Sequence, residues 1–137
     1  MTPLSAPLSL TIRTLWSLRR LTVKPMKNNV MLAFSTCPDT EVGRTLARGL
    51  VECGLAACVN IVPGVSSVYR WNGTVHEDAE CLMIAKTTES GFGPLRDWLR
   101  KHHPYELPEV ITVCVSDGLP AYLQWIEETV TSGPLDV

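Results

Sequence analysis

The sequence predicts an α+β domain, ferredoxin-like in its βαββαβ order, with an extra C-terminal helix and a long projecting hairpin. Three observations point there. Apolar runs without helical period alternate with runs whose apolar residues recur every three or four positions, in the order β-α-β-β-α-β-α. Asn72-Gly73 marks a two-residue hairpin turn, because a type I′ turn needs positive φ at both central positions. At 137 residues, 45% of them apolar, the chain has room for one compact core.

The first element is the apolar run Val30 to Ser35, a buried strand expected to end where Pro38 breaks the pattern. A helix follows, with Asp39 or Thr40 able to cap its start. Val42, Leu46, Leu50 and Cys53 recur at helical spacing, and Gly54 stands where a left-handed C-terminal residue is wanted. From Leu55 to Val62 the chain is apolar and extended, is interrupted by Pro63-Gly64, and resumes from Val65 to Trp71. The return strand runs from Thr74 to about Thr87, and both arms exceed the usual five or six residues, so the hairpin projects beyond the body. A second helix spans about Ser90 to His102, with Phe92, Leu95, Trp98 and Leu99 on one side and Pro104 forcing its end. Val110 to Val115 is a nearly all-apolar strand. The last helix, about Leu119 to Val130, opens at Pro120 and is expected to bury Tyr122, Leu123, Ile126 and Trp125.

This order forms two split βαβ units in one antiparallel sheet, and right-handed crossovers place both long helices on one face. The other face stays uncovered unless the last helix or another subunit packs on it. Tyr69 and Trp71 alternate with Val65 and Ser67 on one side of the hairpin, and exposed aromatic patches mark interfaces, so burial alone points to self-association.

Residues 1–28 carry Arg13, Arg19, Arg20, Lys24 and Lys27 and no acid, whereas the rest holds seven basic residues against all fourteen Asp and Glu, a formal charge of −7. An acidic body gains nothing from counter-ion release on phosphate backbones, which argues against nucleic acid as a partner. Residues 1–28 read as an N-terminal extension, either leader-like or upstream of a later start at Met26 or Met31. Residues 29–131 form the domain, and 132–137 read as a frayed tail. No stretch is long and apolar enough for a membrane helix, so the expectation is a cytoplasmic protein, or an organellar one if residues 1–28 are a transit peptide. The five cysteines, Cys37, Cys53, Cys58, Cys81 and Cys114, show neither zinc-finger nor disulfide spacing, and each lies in or beside an apolar run as a small hydrophobe would.

Several separated phrases resemble those of the CutA family. They are Leu-Ala-Ala-Cys-Val-Asn at 55–60, Ser67-Val-Tyr-Arg-Trp71, Lys86-Thr87-Thr88, His102-His-Pro-Tyr-Glu106 with Pro108-Glu109, and Tyr122-Leu-Gln-Trp125. Together they span about Val30 to Thr129 in the right order. The resemblance implies a homotrimer bridged by the long hairpins, a link to tolerance of copper and other divalent ions, and no assigned catalytic reaction. It further implies a copper site, or one for zinc or another divalent cation, built from one thiol near the end of the first strand and the paired histidines His102 and His103. The matching strand position holds Ser35, and the nearest cysteine is Cys37, which a shift of two residues keeps on the same strand face about 6–7 Å away. A thiolate with imidazoles suits copper or zinc, whereas magnesium and calcium want oxygen ligands. Adjacent helical residues point about 100° apart, so one of the two histidines is also suited to capping the helix C-terminus.

Around this set, Cys58, Tyr69, Trp71, Lys86, Tyr105 and Glu106 are candidates for a cleft or interface. Lys86 is placed to neutralise Glu106 or an anionic ligand, and Tyr105-Glu106, set between two prolines, forms a stiff turn. An enzyme is disfavoured, because no nucleophile elbow, phosphate loop or spaced zinc triad is present. Asn72-Gly-Thr74 also matches a glycosylation sequon, which the hairpin turn explains. The rival reading is a trimeric signalling module similar to the PII proteins, with a metabolite or partner protein in its inter-subunit clefts.

Overall fold

The computed structural model describes residues 28–131, so the expectations for residues 1–27 and 132–137 lie outside the described residues. The elements follow the expected order: β1 (Val30–Cys37), α1 (Thr40–Glu52), β2 (Cys58–Trp71), β3 (Thr74–Thr88), α2 (Glu89–His102), β4 (Ile111–Cys114) and α3 (Pro120–Thr129). The strands form one antiparallel sheet in the order β2-β3-β1-β4. That is the ferredoxin-like arrangement.

Local chemistry sets the ends. The Asp39 carboxylate accepts from the Val42 N–H to cap α1, and the Thr88 hydroxyl accepts from the Gly91 N–H to cap α2. Gly54 follows α1 at φ 70°, and Asn72 and Gly73 both have positive φ, as the type I′ turn requires. β1 is longer than its apolar run: Pro38 does not break it early, and pairing continues until Cys37 stands opposite Cys81.

Both long helices pack on one sheet face, where Leu46, Leu50, Leu95 and Leu99 close over Ala33, Cys37, Cys81, Met83 and Ala85. Burying four leucines of this kind contributes on the order of 1.5–3 kcal/mol each. On the opposite face α3 covers only one end, where Ile126 and Val130 meet Val30 and Ala57. The remainder is bare. β4, the nearly all-apolar strand, is a sheet edge, and its Ile111 and Val113 are 56% and 47% exposed. Cys114 on the same strand is exposed, not core, and Cys58 is half-buried. Tyr122 and Trp125 are likewise exposed, because α3 turns only its Leu123–Ile126 side inward, and their rings pack on each other at 5.5 Å.

At Pro63-Gly64 the β2/β3 register shifts by one residue, with Gly64 at φ 73°. Val59 and Ile61 lie opposite Ala85 and Met83 on the helix face. Beyond the bulge, Val65 and Ser67 lie opposite Glu80 and Asp78, which switches the odd-numbered residues to the other face. Tyr69 and Trp71 owe their outward position to this extra residue. From Val68 through Ala79 every residue of the hairpin is exposed, which bears out its projection.

Candidate functional site

The segment Pro104–Glu109, stiffened by its prolines, lies against the root of the hairpin and encloses a groove of about 870 Å³ with Ser67, Val68, Tyr69, Trp71 and Glu80. Its lining includes three aromatic rings and the carboxyl groups of Glu80, Glu106 and Glu109, with no lysine or arginine. The Tyr105 hydroxyl donates to Glu80 at 2.8 Å, and burial, followed by this hydrogen bond, raises the Tyr105 pKa. The Tyr69 hydroxyl donates to Asp78, which raises its pKa too, and the Tyr69 ring stacks on His76 at 5.5 Å. A groove of π-faces and carboxylates, free of positive charge, is suited to a cation. Four of the six predicted cleft residues, Tyr69, Trp71, Tyr105 and Glu106, meet here.

The other two lie elsewhere. The Lys86 ammonium donates to the Asn60 side-chain carbonyl and sits 3.5 Å from Cys58 Sγ. It stands across from Cys58 on neighbouring strands, so it is engaged there and does not neutralise Glu106.

The paired histidines diverge. His102 ends α2, stacks on Trp98 at 4.1 Å, and donates from Nδ1 to the Trp98 carbonyl at 2.8 Å. His103 caps the same helix but turns inward and is buried. Its Nε2–H donates to the Thr36 carbonyl at 2.8 Å, while Nδ1 accepts from the Tyr105 N–H at 3.1 Å. These partners fix its tautomer and hold the loop that forms the groove against the end of β1. Cys37 is fully buried on the helix face, its thiol donates to the Asp39 carbonyl at 3.3 Å, and burial, with Cys81 beside it, pushes its pKa up to about 12.

The comparisons with known proteins bear on what this arrangement serves. The family model described as CutA1 divalent ion tolerance protein matches residues 31–129. The chain belongs to the CutA1 divalent ion tolerance family. It is 48% identical over 93 residues to the divalent-cation tolerance protein CutA of Thermus thermophilus, covering 68% of this chain and 90% of that protein. It is 44% identical over 104 residues to Protein CutA of Mus musculus, covering 76% of this chain and 59% of that longer protein. The crystal structure of CutA1 from Oryza sativa superposes with a TM-score of 0.75 at 40% identity, covering 77% of this chain and 97% of that one.

A metal ion implied by the CutA1 family can be tested against the donors present. Both ring nitrogens of His103 are already engaged, so it has no lone pair to give. His102 keeps only Nε2 for a partner outside its own helix turn. Among the described residues no group of three or more His, Cys, Asp or Glu converges as a ligand set. Cys37, His102 and His103 therefore do not fit a single metal centre within one CutA1 chain.

Residue-by-residue reading missed the other groove residues and the anchor. Glu80 could have been found from its place beside the hairpin root, and Pro104, Leu107, Pro108 and Glu109 from their adjacency to Tyr105. Thr36, which holds His103, contributes only a backbone carbonyl and leaves no mark in side-chain pattern. Among the described residues no helix is long and apolar enough to cross a membrane.

Proposed function

We propose that this chain is a cytoplasmic homotrimeric divalent-ion tolerance protein, built on residues 29–131, that binds copper or a similar transition-metal ion as part of a response to metal ions. The observation that carries the cation reading is the negative charge of the groove at the hairpin root, whose lining holds Glu80, Glu106 and Glu109 beside Tyr69, Trp71 and Tyr105 with no lysine or arginine, although the three carboxylates do not converge as a ligand set. Self-association is supported by the bare sheet face, on which Ile111 and Val113 lie open, and by the projecting hairpin. An apolar face of that kind is buried in an oligomer. Sedimentation velocity of the full chain, followed by titration with Cu(I), Cu(II) and Zn(II), tests both parts. A monomer at micromolar concentration, or no binding of any of these ions, overturns the reading.

The groove's size favours a second reading, because about 870 Å³ is far more than a bare ion needs and lies within the range of small-molecule sites. A trimeric module similar to the PII proteins, taking a small metabolite in such clefts, would bind its ligand without metal. Submillimolar binding of nucleotides in a chelator would favour it, and the acidic lining directs the choice toward ligands with a cationic group.

A further inference from the structure

Cys37 and Cys81 are direct partners across β1 and β3, and both side chains are essentially fully buried, at 0% and 1% exposure. Their sulfurs converge beneath the first turn of α1. A Cβ built on Gly43 would lie 3.2 Å from Cys37 Sγ and 3.3 Å from Cys81 Sγ, so both sulfurs press against the one residue of that turn that has no side chain. Two further donors lie on the same strand face. Met83 follows Cys81 at the next inward position of β3, and Ser35 stands opposite it on β1. The Ser35 hydroxyl is buried, at 3% exposure, and is the one buried side-chain oxygen or nitrogen among the described residues without a hydrogen-bond partner.

An orphaned hydroxyl beside two thiols and a thioether is an unusual content for an apolar layer, since a buried polar atom left unpaired costs about 1–3 kcal/mol. The donors are soft, and two of them are paired. Zinc wants four ligands in a tetrahedron, and magnesium and calcium want oxygen, so none of these three ions suits a paired dithiol. Cu(I) is selected by thiolate and thioether ligands. A bis-thiolate copper(I) unit carries one net negative charge, and the N-terminal end of α1 directly above it offers the favourable end of the helix dipole.

We propose that Cys37 and Cys81 together hold one Cu(I) ion as a two-coordinate bis-thiolate beneath the first turn of α1, with Met83 and Ser35 as flanking donors. On loading, two S–H bonds break, two Cu–S bonds form, and two protons leave to solvent. Copper enters and stays as Cu(I), so no electron moves. The acidic groove adjoins this end of β1, because His103 ties the Tyr105 N–H, in the segment that lines the groove, to the carbonyl of Thr36, the residue before Cys37. Cations gathered by Glu80, Glu106 and Glu109 are thus concentrated near the dithiol. The site deepens the ion-tolerance reading by naming ligands on this chain, and it rests on that reading only for its physiological purpose.

The test is anaerobic titration of the full chain with Cu(I) against the chromogenic chelator bicinchoninate, with X-ray absorption at the copper edge on the loaded wild-type protein. One Cu(I) per chain with sulfur scatterers is expected, together with loss of that copper in Cys37→Ala and in Cys81→Ala. The double variant Cys58→Ala/Cys114→Ala, which removes the two thiols that are not buried, is expected to keep it. The spectrum of the wild-type protein decides the matter even if a buried cysteine variant fails to fold. Nitrogen-dominated scattering, or copper lost only with Cys58 and Cys114, overturns this site and leaves the ion-tolerance reading standing. Absence of binding by any of the ions tested overturns both.

Discussion

The Nε2–H of His103 donates to the Thr36 carbonyl at 2.8 Å, joining the C-terminal cap of α2 to the end of β1. Through Nδ1 the same ring also receives the Tyr105 N–H, so one buried side chain satisfies two backbone groups that flank the groove. Its role is positional. His103→Ala leaves both groups without partners and is expected to destabilise the fold by about 1–3 kcal/mol. His102→Ala, on the exposed side of the helix, is expected to change stability by less than about 1 kcal/mol. Urea denaturation followed by circular dichroism compares them, and equal midpoints would contradict the assignment.

Tyr105 supplies a pH signature. Burial and the Glu80 hydrogen bond raise its pKa above the ordinary 10.0, so the folded chain holds the phenolic proton more tightly than the unfolded chain does. The resulting stabilisation is complete below the unfolded value and is lost as pH rises through the folded one. Wild-type protein is therefore expected to lose stability above pH 10 more steeply than Tyr105→Phe, while near neutrality the variant is weaker by about 0.5–1.5 kcal/mol. Urea midpoints measured at neutral and alkaline pH provide the comparison. Parallel curves for the two proteins would rule the contact out as the cause.

Trp71 tests assembly. Its ring is 42% exposed on the projecting hairpin, where a charge costs the isolated chain little. If this flank meets another subunit, Trp71→Asp places a carboxylate in an apolar contact, and sedimentation velocity is expected to shift toward lighter species. An unchanged profile would argue against the hairpin as part of the interface.

Gly49 concerns the packing of α1 on α2. A Cβ there would stand 2.5 Å from the Trp98 ring. Alanine gains up to about 1 kcal/mol of helix propensity over glycine. Overpacking costs about 1–3 kcal/mol, so the clash is expected to win and Gly49→Ala to lower the melting temperature. Adding Trp98→Leu removes the obstruction, and Gly49→Ala in that background is expected to be neutral or stabilising, as thermal melts of the four proteins will reveal.

Much of the fold was legible because its punctuation is local. Asn72-Gly73 specified the hairpin turn through backbone sterics, Asp39 announced the start of α1 through its side-chain acceptor, and Pro104 limited α2. The groove was half legible: Tyr105-Glu106 and Tyr69-Trp71 stood out as stiff or aromatic phrases, but their meeting depends on the register shift at Pro63-Gly64. The exposure of β4 was not legible, because a nearly all-apolar run does not say which sheet face stays uncovered, and Ile111 and Val113 lie on the bare one opposite Phe34 and Leu32.

By itself the sequence determined the order of elements, the projecting hairpin and the prospect of an uncovered sheet face, since periodicity and turn chemistry act over a few residues. Tertiary structure alone decided which way each donor points. It turned His103 inward to Thr36, gave Lys86 to Asn60 and set Cys37 against Cys81. Those relationships follow from strand register and helix rotation, which bring together residues far apart in the chain and which no local pattern encodes.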